Sequence, residues 1–569
     1  MDEMTVSKQQ LTQIVGRSNK LFGGRSSLVS YWQDVAEHCY VERAHFKGTG
    51  TLDPSDFSGH LTSGAGIQAR SELANAVSGM LRPPGRVWFR PKMRGIDSED
   101  LDQKIVLQLE RIRTIMQNAM YDPLSRFSRA TKQADNDYVA FGNAVIGIEI
   151  NRKRSTLLYR NHHLRDCAWA EGGDGEVDEI YIKIERTCAQ LKGERRLSLA
   201  PNVQSLSDRE MHQKIKCLWV VVPAEQVWGY KHEGKFASLY IDAENEHLMA
   251  AEMRDYFGYV VPRWQTVSDS QYGYSPPTVA SLPDVRSLQA IMRSLMEAGE
   301  KAADPPMAAQ QDVVRGDIDL TSGGLTWLDA EYDESLGAAI RPLVQSARGF
   351  PFGWQIMEDV RAQVAAAFML NKLTLPDAGH GDMTAYEVGQ RIQEYVRSAT
   401  PLFEPIQADY NAKLCDETFN VLTAAEAMPA PETLPEEMTD TDIDFSFENP
   451  FTAAASQEVA VQYDAVTGLL SRQMQLDPMA VAELDTNIMF RAAVRGLSVP
   501  ADWLRSEDDA MEQRAVLEQQ AKAAQQMAMM REMAETAQAA GAGMSAMGDG
   551  AAAMGPEAMM GVEGQPDAA

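Results

Sequence analysis

Between Tyr272 and Arg397 the sequence sets two strongly signalled helices on either side of an insert punctuated by proline and glycine, then runs through a short loop into a third helix. Ser281 is placed to cap the first helix, Pro283 suits its first turn, and Asp284 three residues on completes a pattern like a capping box. Val285, Leu288, Ile291, Met292, Leu295 and Met296 then recur on one face at helical spacing. Asp304-Pro305-Pro306 stops the run, because proline cannot continue the hydrogen-bond ladder and disfavours helix in the residue before it. A second helix resumes near Phe352. Its stripe is Trp354, Met357, Val360, Val364 and Phe368, beside the small Ala365, Ala366 and Ala367, and it ends around Asn371-Lys372. The loop Leu373 to Asp382, with Pro376, Gly379 and Gly381, delivers the chain to Thr384, whose spacing to Glu387 makes a capping box for a long third helix bent at Pro401 and Pro405. The whole stretch holds no catalytic motif.

A chain of 569 residues with 44% hydrophobic and 24% charged residues buries a large core and divides into several domains. Its formal net charge of −28 opposes wrapping nucleic acid through phosphate contacts, which need clustered lysine and arginine, although DNA passing nearby without adhering is compatible with it. No N-terminal segment reads as a signal peptide and no apolar run reaches the roughly 18 residues of a membrane span, so the expected setting is a cytoplasm. Cys39, Cys167, Cys188, Cys217 and Cys415 are dispersed without a Cys-x-x-Cys pair, which is the pattern of buried free thiols.

Helical spacing dominates residues 4–45, broken at Gly23-Gly24, and again Ala65 to Leu81, closed by Pro83-Pro84-Gly85. Val87-Trp88-Phe89 reads as a short buried strand, and helices follow at about 98–120 and 123–140. From Asn143 the period changes to that of strands at 144–150, 156–160, 179–186 and 214–222, with Glu171-Gly172-Gly173-Asp174-Gly175 as a turn and a mixed region continuing to 267. Beyond Thr423 a proline-rich acidic linker runs from Met428 to Asp444, helices follow at about 453–474, 477–495 and 499–537, and the Gly/Ala/Met composition past Ala539 reads as a disordered tail. The fold class is α+β, mainly helical.

Chemical motifs are sparse. No phosphate-binding Gly-x-x-x-x-Gly-Lys-Ser/Thr loop occurs, and Ser63, Ser78 and Ser128 lack a nucleophile elbow, so the chain reads as neither a nucleotide-driven motor nor a hydrolase. His162-His163 are adjacent on a strand and face opposite sides, an arrangement poorly suited to sharing a metal. Asp442-Ile443-Asp444 reads as a solvated acidic turn, because the Gly and Glu of a calcium loop are missing. Neither a metal nor any other cofactor is expected. Lys372 and His380 flank the loop after the second helix, where either could touch a polyanion.

Four segments in order resemble the podovirus-type head-to-tail connector, or portal, family of tailed bacteriophages. They are Leu73 to Phe89 (LANAVSGMLRPPGRVWF), Tyr272 to Asp304, the Pro305-Pro306 insert with its Leu320-Thr321-Ser322-Gly323-Gly324 turn, and Asp382 to Arg391 (DMTAYEVGQR). The resemblance implies a homo-oligomeric ring, usually of about twelve subunits, at one vertex of the virion capsid, with an axial channel for packaging and ejecting double-stranded DNA. It also implies partners, namely the terminase motor, tail adaptors and other tail proteins, and the capsid and scaffold proteins, with no membrane and no enzymatic activity. Mapped on this chain it gives a wing over 1–270, stem helices over 271–304 and 351–371, a clip over 305–350, a tunnel loop over 372–383, a wing helix over 384–424, an acidic linker over 425–450, a helical crown over 451–538 and a tail over 539–569.

On that mapping Val285, Leu288, Ile291, Met292, Leu295, Val360, Val364 and Phe368 pack the stem, Lys372 and His380 meet DNA, and Asp317, Asp319, Asp329 and Glu331 form a negative partner surface on the clip. An acidic lining suits a conduit, since phosphate repulsion keeps DNA from sticking. The alternative is another phage structural component, such as a tail adaptor or internal head protein.

Overall fold

The structure, a computed structural model, describes residues 6–47, 59, 61–83, 85–96, 103–151, 154–194, 197–205, 210–229, 232, 234–268, 270–303, 307–309, 340–342, 350–370, 404, 406–429, 443–448, 450–474, 484–496 and 507–552. They fall into two units, Met1–Leu497 and Ser498–Ala569. The first opens with α1 (Lys8–Gly24), started by a capping box between Ser7 and Gln10, and α2 (Ser26–Cys39). The break expected at Gly23-Gly24 falls at Arg25. This buried residue holds the corner by donating to the carbonyls of Leu164 (2.7 Å) and Arg165. α3 (Ala65–Leu81), β1 (Phe89–Met93), α4 (Gln103–Tyr121) and α5 (Phe127–Phe141) follow.

Strands then take over, as the change of period predicts. β2 (Ile146–Asn151), β3 (Thr156–Asn161), β4 (Cys167–Glu171), β5 (Val177–Thr187), β6 (Lys214–Pro223), β7 (Phe236–Asp242), β8 (His247–Arg254) and the two-residue β9 (Tyr259–Val260) build two antiparallel sheets, ordered β4-β5-β6-β7-β8 and β3-β2-β9. Short helices α6 (Cys188–Gly193), α7 (Pro201–Gln204) and α8 (Ala224–Trp228) lie between strands. The Gly-rich turn closes the β4–β5 hairpin, with Gly175 at φ +82°. In the larger sheet successive side chains enter different cores. Ile180, Ile182 and Val221 join Trp32, Val35 and Ala36 of α2, whereas Tyr181, Val220 and Val222 join Leu11 of α1. Burial on both faces explains the unbroken apolar run Leu218 to Val222, which lacks the alternation of a half-exposed strand. β4 and β8, absent from the sequence reading, complete the two edges.

The two-residue strands β10 (Gln265–Thr266) and β11 (Gly273–Tyr274) lead into α9 (Pro276–Ala303). β12 (Met307–Ala309), β13 (Ile340–Pro342) and α10 (Phe350–Ala367) follow. A π-helical turn at Gln407–Ala412 then opens α11 (Lys413–Ala424). β14 (Ile443–Phe447), α12 (Pro450–Gln473) and α13 (Thr486–Gly496) complete the first unit. The second unit holds α14 (Glu507–Ala552), which continues past Ala539, where composition predicts no order. All five cysteines are buried free thiols. Among the described residues no helix is long and apolar enough to cross a membrane.

Two expectations are corrected here. Asp444 does not sit in a solvated turn: Ile443–Phe447 pairs antiparallel with β1, Asp444 opposite Lys92 with the side chains 3.4 Å apart, because Phe445 needs the apolar slot beside Phe89. The short strand at the Val87-Trp88-Phe89 motif begins only at Phe89, and Trp88 packs fully buried against the Phe447 ring.

The core under α3, α5 and α11 contains charge. Arg82 closes α3, pairs with buried Asp135 of α5, donates to Asn411 Oδ1 at 2.6 Å and lies over the Tyr410 ring at 4.5 Å. Burial opposes both charges: on Arg82 the Asp135 carboxylate outweighs it and pushes the guanidinium pKa above its ordinary value, whereas on Asp135 burial wins over Arg82 and pushes the carboxyl pKa up. A second pair, Arg43–Asp137 at 2.8 Å, is completed by Asn161 at 2.6 Å. Removing one member of such a pair strands the other in a dry site. Arg82→Met is expected to cost about 3–5 kcal/mol of unfolding free energy, and Arg82→Met with Asp135→Leu to recover much of it, measured by denaturant unfolding.

Glu417 of α11 is half-buried, and its carboxylate accepts from Gly258 N at 2.7 Å; desolvation of the carboxylate pushes its pKa up from 4.5 to about 7 against that hydrogen bond. The folded state therefore holds the proton longer than the unfolded state. Stability is full below about pH 4.5, falls as pH rises toward 7 and then levels off, about 3 kcal/mol lower. Glu417→Gln, which keeps the acceptor oxygen, is expected to flatten that decline in thermal midpoints taken at pH 5 and pH 8.

Candidate functional site

The helix pair α9/α10 is held to the rest of the unit at its base, and the hold begins with two glycines. Gly142 ends α5 at φ +74°, and a Cβ there would lie 2.2 Å from the Tyr274 carbonyl carbon. A Cβ on Gly273 would lie 2.8 Å from Gly142 O. Only glycine lets the two backbones touch. Asn143 locks the contact, its Nδ2 donating to Gly273 O (2.7 Å) and its Oδ1 accepting from Gly273 N (2.8 Å). Ser275 Oγ donates to Val139 O at 2.6 Å, and Thr278 Oγ1 donates to the same carbonyl at 3.2 Å.

This anchoring corrects the helix start. α9 begins at Pro276, five residues before Ser281, since Ser275 Oγ accepts from Thr278 N at 3.4 Å and Pro276-Pro277 occupy the first turn. Ser275-Pro276-Pro277 carries the same grammar as Ser281-Leu282-Pro283, and the buried anchor selects it. Ser281 is buried inside the helix, while Pro283 sits on its exposed side, where the lost backbone donor costs least.

Along α9, Leu282, Val285 and Leu288 are buried, with Val285 against Gly66, where a Cβ would come within 3.1 Å of the valine. Gln289 finishes the seated half: its Oε1 accepts from Thr62 N (2.8 Å) and Ser63 N (2.9 Å), and its Nε2 donates to Ser63 O (2.6 Å). Arg286 pairs with Asp34 of α2. Past Leu288 no α9 residue is fully buried: Ile291, Met292 and Leu295 are half-buried and Met296 is exposed. α10 differs: Val364 and Phe368 (just past its end) stand in the core beside Tyr410 and Leu414 and Val360 is half-buried, but Met357, a turn farther out, is again fully buried. Gly353 lets the start of α10 close on α9, since a Cβ there would meet Leu295 Cδ2 at 2.7 Å. The pair ends in a ladder, Met307↔Pro342, Ala308↔Arg341 and Ala309↔Ile340, which brings together the two ends of the insert.

What the pair leaves uncovered is apolar and of mixed charge. Val279 and Met296 are each 52% exposed, Phe352 69% and Trp354 56%, although the sequence stripe places Trp354 with the buried residues; its indole Nε1 donates to Glu358 Oε1 at 3.1 Å. Arg293, Glu297, Glu300 and Lys301 on α9, and Glu358, Asp359 and Arg361 on α10, are exposed with both signs interspersed. Exposed aromatics with balanced charge are the composition of a protein contact, whereas a phosphate-binding face carries one sign. Lys372, His380, Asp317, Asp319, Asp329 and Glu331 lie outside the described residues.

The adjacent histidines are packing residues. His163 stacks edge-on against Phe46 and His45 (4.8 Å each), and His162 lies against Tyr259; burial pushes both imidazole pKa values down, that of His162 to about 4, so both are neutral. Sequence reasoning missed Asn143, Gly273 and Gln289. Their one local signal is Gly142-Asn143 at a change of period, and nothing in it names Gly273 as the partner.

The family model described as "Bacteriophage head to tail connecting protein" matches residues 11–504. The "Probable portal protein" of Bordetella phage BPP-1 is 23% identical over 482 residues, covering 83% of this chain and 85% of that protein. The "Portal protein" of Salmonella phage epsilon15 is 19% identical over 502 residues, covering 85% and 86%. A solved chain from "Neck of empty GTA particle computed with C6 symmetry" shares 12% identity over 72% of this chain and 87% of its own, at a TM-score of 0.36, too loose a likeness to bear on function.

The glycine clasp has a direct test. Gly142→Ala is expected to destabilise the protein by about 3 kcal/mol or more, because the methyl meets backbone on one side and a left-handed φ on the other, whereas Gly353→Ala, facing the movable end of Leu295, should cost less than about 1.5 kcal/mol. Thermal midpoints of the two variants give the comparison.

Proposed function

The chain belongs to the bacteriophage head to tail connecting protein family, and on that footing we propose that it is a portal: a ring of about twelve copies around an axial channel at one capsid vertex. Double-stranded DNA would pass through that channel during packaging and ejection, driven by a separate terminase motor, and tail proteins would dock at its mouth. In this reading the chain performs no catalysis; its work is to hold a passage open.

The observation that carries the reading is the helix pair, seated in the core by Leu282, Val285, Leu288, Val364 and Phe368 and uncovered at Val279, Met296, Phe352 and Trp354. A monomer gains nothing from exposing two aromatics, and burying them against the next copy would return about 25 cal/mol for each Å² covered. Head-to-tail contacts of this kind close into a ring when the rotation between copies fits. The insert bounded by β12 and β13 then stands at one end of the channel as the docking part, and its Asp317, Asp319, Asp329 and Glu331 make that part negative. Lys372 and His380 would be the loop contacts to DNA.

Phe352→Ser with Trp354→Ser separates folding from assembly. The subunit's thermal midpoint is expected to hold, since exposed positions change stability by less than about 0.5 kcal/mol, while ring formation seen by negative-stain microscopy should require at least about ten-fold more protein. Rings forming at unchanged concentration would remove these residues from the contact.

A further inference from the structure

Leu124, Arg126, Asn151, Arg154, Leu158 and Arg160 line a concavity of about 250 Å³, well away from α9 and α10 in the sequence. The backbone assembles it. Tyr159 N donates to Ser125 O at 2.8 Å, so Arg160 and Arg126, each the next residue after one of those bonded groups, reach the same rim. β3 alternates cleanly, Leu157 and Tyr159 buried, Leu158 and Arg160 turned outward. Arg126 sits at φ 58°, a left-handed conformation that a non-glycine residue rarely takes.

The cations here are uncommitted. Among the described residues Arg126, Arg129, Lys132 and Arg154 have no ion-pair partner, and Arg160 has only Glu149 at 3.9 Å. Arg129 and Lys132 extend the exposed face of α5 that begins beside Arg126, and the first acid of that helix, Asp135, is turned inward to Arg82. In a chain of net charge −28, where carboxylates are in surplus, four cations gathered without partners mark a place where an anion is wanted.

We propose that this concavity binds phosphate groups, the guanidinium forks of Arg126, Arg154 and Arg160 gripping the oxygens. Among the described residues no aromatic lines it to stack a base, so recognition is of phosphate alone and independent of nucleotide sequence. Two sources supply that chemistry: the backbone of double-stranded DNA and a free polyphosphate ion. None of these residues belongs to the helix pair, so the site stands or falls apart from the channel reading.

The test uses the full-length protein, a short random-sequence DNA duplex followed by fluorescence anisotropy, and tripolyphosphate followed by calorimetry. Combining Arg126→Gly, Arg154→Gln and Arg160→Gln is expected to weaken binding at least about ten-fold at 0.1 M salt and to lower the slope of log affinity against log salt by about 0.9 per arginine removed. Arg126→Gly alone should weaken binding while the thermal midpoint holds or rises, because glycine suits that backbone. Arg154→Gln, in an exposed turn, provides the same comparison should the triple variant fold poorly. A loss confined to the duplex identifies DNA as the source, and one confined to tripolyphosphate identifies the free ion. If neither probe binds, or both bind the variants as before, the proposal is wrong; it is equally wrong if the variants alter only the association between copies of the chain.

Discussion

The guanidinium of Arg82 cannot give up its charge, and it sits where water does not reach. Asp135 answers it from α5, Asn411 and the Tyr410 ring from the turn that opens α11, and three segments remote in sequence are thereby placed within hydrogen-bond tolerance of one another. Apolar packing alone would leave those helices free to slide by a fraction of a turn, since hydrophobic attraction has no direction. The charged pair sets the angle and register, and the surrounding core, from Leu73 and Val77 to Tyr159 and Leu414, fills in around it. The feet of the helix pair, Val285, Val364 and Phe368, stand in that same core, so the pair is seated on the packing that surrounds the salt bridge.

The pair changes character along its length. Near the base every device for fixing position is used: glycines that admit backbone contact, an asparagine that pairs both ways with Gly273, and a glutamine that satisfies three groups of residues 62 and 63. Farther out the two helices hold mainly each other, through Gly353 against Leu295 and buried Met357, and exposed Met296, Phe352 and Trp354 remain without cover. Rigid seating followed by an apolar surface is what a contact with another protein copy requires, because a pre-positioned surface loses little entropy when it is buried.

Much of the fold is legible from residue spacing. The β2–β3 pair, β5, β6 and helices α1 to α5 fall where period and turn chemistry put them, because each buries a face whose pattern is written locally. β14 is illegible: Asp444 and its acidic neighbours read as solvent-facing, and only the presence of β1 and the Phe89 ring makes a strand of Ile443–Phe447. The start of α9 shows a different limit. Two serine-proline signals compete with their serines six residues apart, and local grammar cannot rank them; Val139's carbonyl on α5, 136 residues away, selects Ser275. Trp354 fits the apolar stripe by spacing, yet it is exposed because the stripe is wider than the core beneath it.

By itself the sequence determined that this chain would be a mixed, mainly helical fold with a strand-rich middle, and that two helices would flank an insert, because backbone hydrogen bonding and side-chain period act between near neighbours. The tertiary structure decided where those helices begin, which half of each is seated and which arginines meet carboxylates and which do not. Those outcomes depend on groups hundreds of residues apart, such as Arg82 with Asn411, arriving within 3 Å of each other, and no local pattern carries that distance.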